Sequence, residues 1–187
     1  MPTQTTGKWH GAVVALICGS LILLVSLGIR HAFGLFLQPV TMDQGWGRET
    51  FAFAIALQNL VWGFSQPFAG MLSDRFGARP VVASGALLYG LGLWVMSQVA
   101  GEVVFIFGAG VLIGLGLSGT TFPVIFGAIS RLVAPQQRSF AMGITMSVGS
   151  FGQFAMLPIS LGLITGLEWQ SALLLLSILA ILMFPLA

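Results

Sequence analysis

An all-α integral membrane protein of six transmembrane helices is the fold class this sequence predicts, and three observations predict it. Of its 187 residues 57% are hydrophobic and 6% charged, against roughly 25% charged in a soluble domain, and the mean hydropathy is +1.00. Surface-to-volume scaling leaves a small soluble fold no way to hide so much apolar surface. The apolar residues fall into six runs, each near the ~20 residues a helix needs to cross the hydrocarbon core. The basic residues alternate between connections, as the positive-inside rule requires of a multi-pass chain. Together these exclude a soluble enzyme, a nucleic-acid reader and a disordered linker. The 25 glycines and 8 prolines fit membrane helices, which tolerate both.

The runs cover residues 11–40, 50–72, 81–99, 103–128, 140–164 and 170–187. Residues 1–10 form a polar tail. The first run is too long for the 7–15-residue core of a signal peptide, so it reads as a retained span. With the N-terminus inside, the connections 1–10, 73–80 and 129–139 carry Lys8, Arg75, Arg79, Arg131 and Arg138, while the outer ones carry Arg48 alone. That bias predicts a cytoplasmic N-terminus and an inner (plasma) membrane location. Trp9, Trp46 and Trp169 fall at predicted interfaces, where an amphipathic ring is favoured. The last run ends at Ala187 with no basic residue after it, so the chain is expected to be one bundle truncated at or just before the end of the sixth helix.

A weak repeat at an offset of 89 residues sets Phe51-Ala52 against Phe140-Ala141, Ile55 against Ile144, Gly63 against Gly152, and Phe33 against Phe122. An offset of three helices inverts topology and predicts a 3+3 inverted repeat of the kind transporters use.

Between the second and third runs the chain reads Gly70-Met71-Leu72-Ser73-Asp74-Arg75-Phe76-Gly77-Ala78-Arg79-Pro80. Gly77 permits a left-handed backbone where the chain reverses, and Pro80 suits the first turn of the next helix. The segment resembles the signature loop of the major facilitator superfamily, Gly-x-Leu-x-Asp-Arg-x-Gly-x-Arg/Lys, and lies where that family has it, between spans two and three on the inner side. The resemblance implies the N-terminal half of a twelve-helix transporter with substrate bound between two halves. It also implies a conformational gate of Gly70, Asp74, Arg75, Gly77 and Arg79, with Arg131 at the end of span four as the partner of Asp74. Arg75 and Arg79 read equally as topology determinants. The stretch 28–39 and the outer Gly45-Trp46-Gly47-Arg48 look like the monocarboxylate and oxalate:formate branch. Span five lacks the Gly-Pro pair of the drug–proton antiporters, so the resemblance does not extend to that activity.

One charge lies well inside a span, Arg30. A mid-membrane charge costs about 2.5–3.5 kcal/mol on insertion scales and normally faces a partner or an aqueous cavity. No carboxylate lies within a predicted span to neutralise it, and a guanidinium fork matches a carboxylate bidentately. Ser26 and Phe33 share its face. The other reading is that Arg30 snorkels to the outer headgroups. His31, about 100° away, reads as a proton carrier or a neutral packing residue. Span two offers Gln58, Asn59, Ser65 and Gln66; Asn59, Trp62 or Gly63, and Gln66 repeat at helical spacing as a polar strip before Pro67, and such a strip lines a cavity or joins helices. In span four Gly110-x-x-x-Gly114 reads as helix packing, with Ser118 and Thr121 beyond it toward the pathway. The candidate substrate-binding residues are therefore Arg30, Gln58, Asn59, Ser118 and Thr121.

Nothing points to hydrolysis, to a metal at the lone Cys18, or to any cofactor. The expected function is secondary active transport of a small organic anion of monocarboxylate type by alternating access, proton-coupled or by exchange. The alternatives are an efflux permease for another small molecule and a non-transporting sensor or truncated product. The expected partners are the anionic substrate, the bilayer, and either a missing second half or a second copy, with no nucleic acid.

Overall fold

The computed structural model describes residues 5–98 and 101–187, with side chains from Gly11 onward within those ranges. The side chains of Lys8 and Trp9, and the junction at Val99 and Ala100, lie outside the described residues. In chain order the helices are α1 Thr5–Ala32, α2 Leu37–Gln44, α3 Arg48–Phe76, α4 Ala78–Ser97, α5 Glu102–Ile106, α6 Ile113–Thr120, α7 Phe122–Leu132, α8 Arg138–Gly166 and α9 Trp169–Ile181. A 3₁₀ turn, Phe33–Phe36, joins α1 to α2, and a π-helical segment, Phe107–Leu112, joins α5 to α6. The described residues contain no strand.

Helix starts and stops follow local chemistry. The two turns closing α2 and α3 are made by Gly45 and Gly77, at φ +66° and +89°, conformations that a Cβ makes costly. α7 restarts after Thr121, which is extended (φ −118°, ψ −160°), with Pro123 in its first turn, where a missing N–H costs nothing.

Four helical stretches are long and apolar enough to cross a membrane: Gly11–Gln44, Ala78–Ser97, Glu102–Leu132 and Pro135–Gly166. The six predicted runs are thus six helical stretches but not six equal spans. α3 has 29 residues, yet its polar strip and charged ends dilute its apolarity. α9 has only 13 residues, about 20 Å at 1.5 Å per residue against a core near 30 Å. Past Ile181 the chain continues as i→i+3 turns, with Phe184 N–H on the Ile181 carbonyl at 2.8 Å, so the run predicted to 187 is a shorter helix with a tightened tail. The start moves as well: the described residues are helical from Thr5 on, inside the segment read as a tail.

α1 lies along α8, α4 lies between α6 and α9, and α3 lies against the stretch α5–α7. The tightest seams are backbone on backbone. A Cβ on Gly28 would stand 2.7 Å from the Gly152 carbonyl oxygen, and one on Gly152 would collide with Leu24. A Cβ on Gly116 would stand 2.9 Å from the Gly85 carbonyl oxygen across the α4–α6 seam. Gly110 and Gly114, the Gly-x-x-x-Gly pair, take Leu57 and Val61 of α3. The repeat-derived match of Gly63 with Gly152 is not a match of environments, because nothing lies within 4 Å of a Cβ on Gly63.

Gly152→Val should therefore break the α1–α8 seam at a cost of about 1–3 kcal/mol or more, read as lost monodisperse yield and earlier unfolding in SDS titration. Gly162→Ala, in open space, should leave both unchanged; equal behaviour of the two variants would refute the seam.

Candidate functional site

A half-open polar cluster is built around Arg30 in the last turn of α1, where Arg30 and Trp62 are half-buried and Asn59 is exposed. Its Nη2 donates to Asn59 Oδ1 of α3, and its guanidinium lies 4.7 Å from the centroid of the Trp62 ring. The Trp62 indole N–H donates to Thr121 Oγ1 at 3.1 Å. The Thr121 hydroxyl in turn donates to the Leu117 carbonyl at 2.7 Å, and Asn59 Nδ2 donates to the Ile55 carbonyl at 3.0 Å. Asn59 and Trp62 are one turn apart on α3, so both meet the same neighbour. Arg30 Nε is buried and has no hydrogen-bond partner. The guanidinium thus lies over an aromatic face, with its Nε buried and its Nη2 toward the exposed Asn59.

The sequence-derived residues separate here. Arg30, Asn59 and Thr121 come together through Trp62. Gln58 does not join them: it is buried, and its Nε2 donates to the Ala109 carbonyl at 2.8 Å. That carbonyl belongs to the π-helical segment, whose altered ladder disturbs ordinary pairing. Ser118 is buried and donates to the Leu115 carbonyl of its own helix at 2.7 Å. His31 is exposed and apart from the cluster. Two participants escaped sequence reasoning. Trp62 was legible only as part of a strip. Tyr89, the sole tyrosine, is fully buried on α4 and donates to the Ser26 carbonyl at 2.9 Å; its aromatic, apolar surroundings gave no polar pattern to read.

At the end of the bundle where α3 and α7 finish, Arg131 Nη1 pairs with Asp74 Oδ1 at 2.7 Å, and Arg131 Nη2 donates to Ser73 Oγ at 3.3 Å. The side chains are 45% and 76% exposed. The pair ties span two to span four within this chain, and its exposure places it among ion pairs worth about 0–1 kcal/mol, well below a buried pair. A Cβ on Gly70 would stand 3.7 Å from Pro123, Arg75 lies over Phe76, and Arg79 is exposed. At the opposite end Asp43 Oδ2 accepts from Trp169 Nε1 at 3.2 Å and Gln170 Nε2 at 3.4 Å. Trp169 is buried there, while Trp46 stacks edge-on to Phe105. The described residues hold no group of metal-ligating side chains.

A bundle of long apolar helices, with a partly buried cation beside an indole ring and an Asp–Arg pair at one end, is the build of a multi-pass membrane protein. Residues 11–187 match the model of the Major Facilitator Superfamily, and the chain belongs to that family. It is 30% identical over 82% of its length to monocarboxylate transporter 13 of Rattus norvegicus, covering 36% of that protein. It is 29% identical over the same share to the Bos taurus protein of that name. It is 34% identical over 77% of its length to the multidrug resistance protein MdtH of Cronobacter sakazakii, covering 33% of it. The chain spans about a third of the length of these relatives.

Two substitutions separate surface from interior polarity. Asp74→Asn should shift unfolding by less than about 1 kcal/mol. Gln58→Leu removes an interhelical hydrogen bond of a kind worth about 0.6–1.7 kcal/mol in membranes and should shift it more. SDS-titration midpoints of the two variants give the order, and the reverse order would contradict this placement.

Proposed function

We propose that this chain forms the N-terminal six-helix half of a secondary transporter that moves a small organic anion of monocarboxylate type by alternating access. The observation that carries the reading is Arg30: a half-buried cation with a buried, unpartnered Nε, an amide oxygen and an indole face for neighbours, and no carboxylate beside it. The five acids of the sequence, Asp43, Glu49, Asp74, Glu102 and Glu168, all lie at helix ends or in turns. An amide oxygen is a weak partner for a guanidinium, whereas a carboxylate takes two N–H groups at once with charge assistance. An anionic substrate therefore completes what the protein leaves incomplete. Trp62 holds the guanidinium by a cation–π contact, which keeps the fork oriented before substrate arrives.

In this reading substrate sits between this half and a second one, supplied by further chain or by another copy, and the two rock about it. The N-terminus is cytoplasmic in the inner (plasma) membrane, as the distribution of arginines supports. Asp74 keeps most of its surface open beside Arg131, which leaves it able to meet the second half as part of a cytoplasmic gate with Gly70, Arg75, Gly77 and Arg79. The pairing of the first span with the fifth, and of the second with the fourth, is the pattern that exchange of two three-helix units produces, and it supports the 3+3 organisation. The MdtH likeness favours a second reading, efflux of another small molecule; the bare Arg30 disfavours a cationic one.

The test is uptake of a radiolabelled short-chain monocarboxylate into proteoliposomes holding the longest reading frame that contains this chain. Arg30→Gln should lower uptake about ten- to a hundredfold, the range for losing charged hydrogen bonds of about 1.5–3 kcal/mol, and Arg30→Lys should restore part of it. Uptake by Arg30→Gln equal to the parent protein would end the anion reading.

A further inference from the structure

The end of the bundle that carries Asp74 also carries a groove of about 960 Å³, walled by the start of α1, the α7–α8 connection and the first turns of α8. Its volume is at the upper end of those that hold a drug-sized ligand. The floor is apolar, with Leu16, Phe140 and Ile144 among its walls, and the rim holds Arg131 and Arg138 with no acid among the lining residues. Arg131 is already neutralised by Asp74. Arg138 has no acidic partner among the described residues; only its Nε is engaged, donating to the Val133 carbonyl at 3.4 Å. An unneutralised guanidinium at the rim of an apolar groove is complementary to an amphiphile with an anionic head and an apolar tail.

The opposite end of the molecule supplies a built-in contrast. A second groove there, about 590 Å³, is lined by Asp43 and Glu168 and by no basic residue. An anionic headgroup is repelled at that end and attracted at the other. The sign of the rim charge, not apolar surface in general, therefore distinguishes the two grooves.

We propose that the groove rimmed by Arg138 is a binding site for an anionic phospholipid of the leaflet at that end. The phosphate lies on the Arg138 guanidinium and an acyl chain lies along Leu16, Phe140 and Ile144. Because the groove joins the start of the first span to the connection between spans four and five, an occupant there holds α1, α7 and α8 together. The site is separate from the Arg30 cluster and does not depend on the transport reading.

The experiment is native mass spectrometry of the detergent-purified protein with phosphatidylglycerol or phosphatidylcholine of the same acyl chains. Phosphatidylglycerol should be retained about fivefold more, the ratio that corresponds to one arginine near an anionic surface at about 1 kcal/mol. Arg138→Gln should erase that preference and Arg138→Lys should keep it. Ile144→Trp, which fills the floor, should lower retention of both lipids. Glycerol phosphate, which carries the head without the tail, should fail to displace the lipid. Equal retention of the two lipids, a preference that survives Arg138→Gln, or displacement by glycerol phosphate would each overturn the proposal. None of these outcomes bears on uptake by Arg30 variants, so the two readings fail separately.

Discussion

Helices in hydrocarbon gain little by covering leucine with leucine, because lipid tails are equally apolar; what holds them is close contact and interhelical hydrogen bonding. The bundle depends on that constraint at its glycine seams. Gly28 meets the Gly152 backbone, and Gly85 meets Gly116. At these points two backbones come near enough that dispersion acts over whole turns, and no side chain stands between them. α1 is thereby fixed to α8, and α4 to α6. Arg30 is placed by the first seam: it lies two residues beyond Gly28, on a helix whose rotation is set by the contact with Gly152.

With packing settled by backbone contact, several buried hydroxyls are turned to local duties. Thr120, Thr145 and Ser118 return their hydroxyls to carbonyls of their own helices, which leaves them no donor to offer a ligand. Arg30 differs in kind. A guanidinium has five donors and no acceptor, and its helix offers nothing that satisfies them. It therefore reaches across to α3, and even there its Nε stays unpartnered. That mismatch between donors present and acceptors supplied separates a site from a packed core.

The pattern of apolar runs and basic loops was enough to read six helical stretches, because each stretch obeys a local rule of length and charge. Gly77 and Pro80 were legible for the same reason, since a reversal needs a positive φ and a helix start tolerates proline. Site geometry was less legible. Arg30 and Asn59 could be named, yet Gln58 and Asn59 are neighbours in sequence, about 100° apart on α3, and meet different helices. The angle between them is known in advance; which neighbour each side faces is a tertiary fact. Trp62 could be placed on the strip but not given its partners, and Tyr89 was hidden, because an aromatic residue in an apolar helix reads as bulk until its polar atom finds a partner. The exposure of the Asp74–Arg131 pair was likewise invisible, for a motif states who meets whom and not how much water or lipid surrounds them.

The irregularity of the fourth span explains why α3 is the least apolar of the long helices. Backbone that departs from the α-helix is tolerated inside a membrane only where protein satisfies its freed groups. The fourth span departs twice, in the π-helical segment Phe107–Leu112 and at the extended residue Thr121. α3 meets both departures. Gln58 donates to the Ala109 carbonyl in the first, and Trp62 donates to Thr121 at the second. The two are four residues apart on α3, about a single helical turn, while the places they meet are twelve residues apart on a stretch that runs parallel to it. The polar strip that keeps α3 from qualifying as an apolar span is thus the complement of a broken helix beside it. Asn59, on the same strip, then reaches Arg30 without any further polar residue being needed. Polarity in the second span, irregularity in the fourth and the cation on the first form one arrangement, and replacing the strip by leucine would leave the fourth span's Ala109 carbonyl and the Arg30 guanidinium without their present partners.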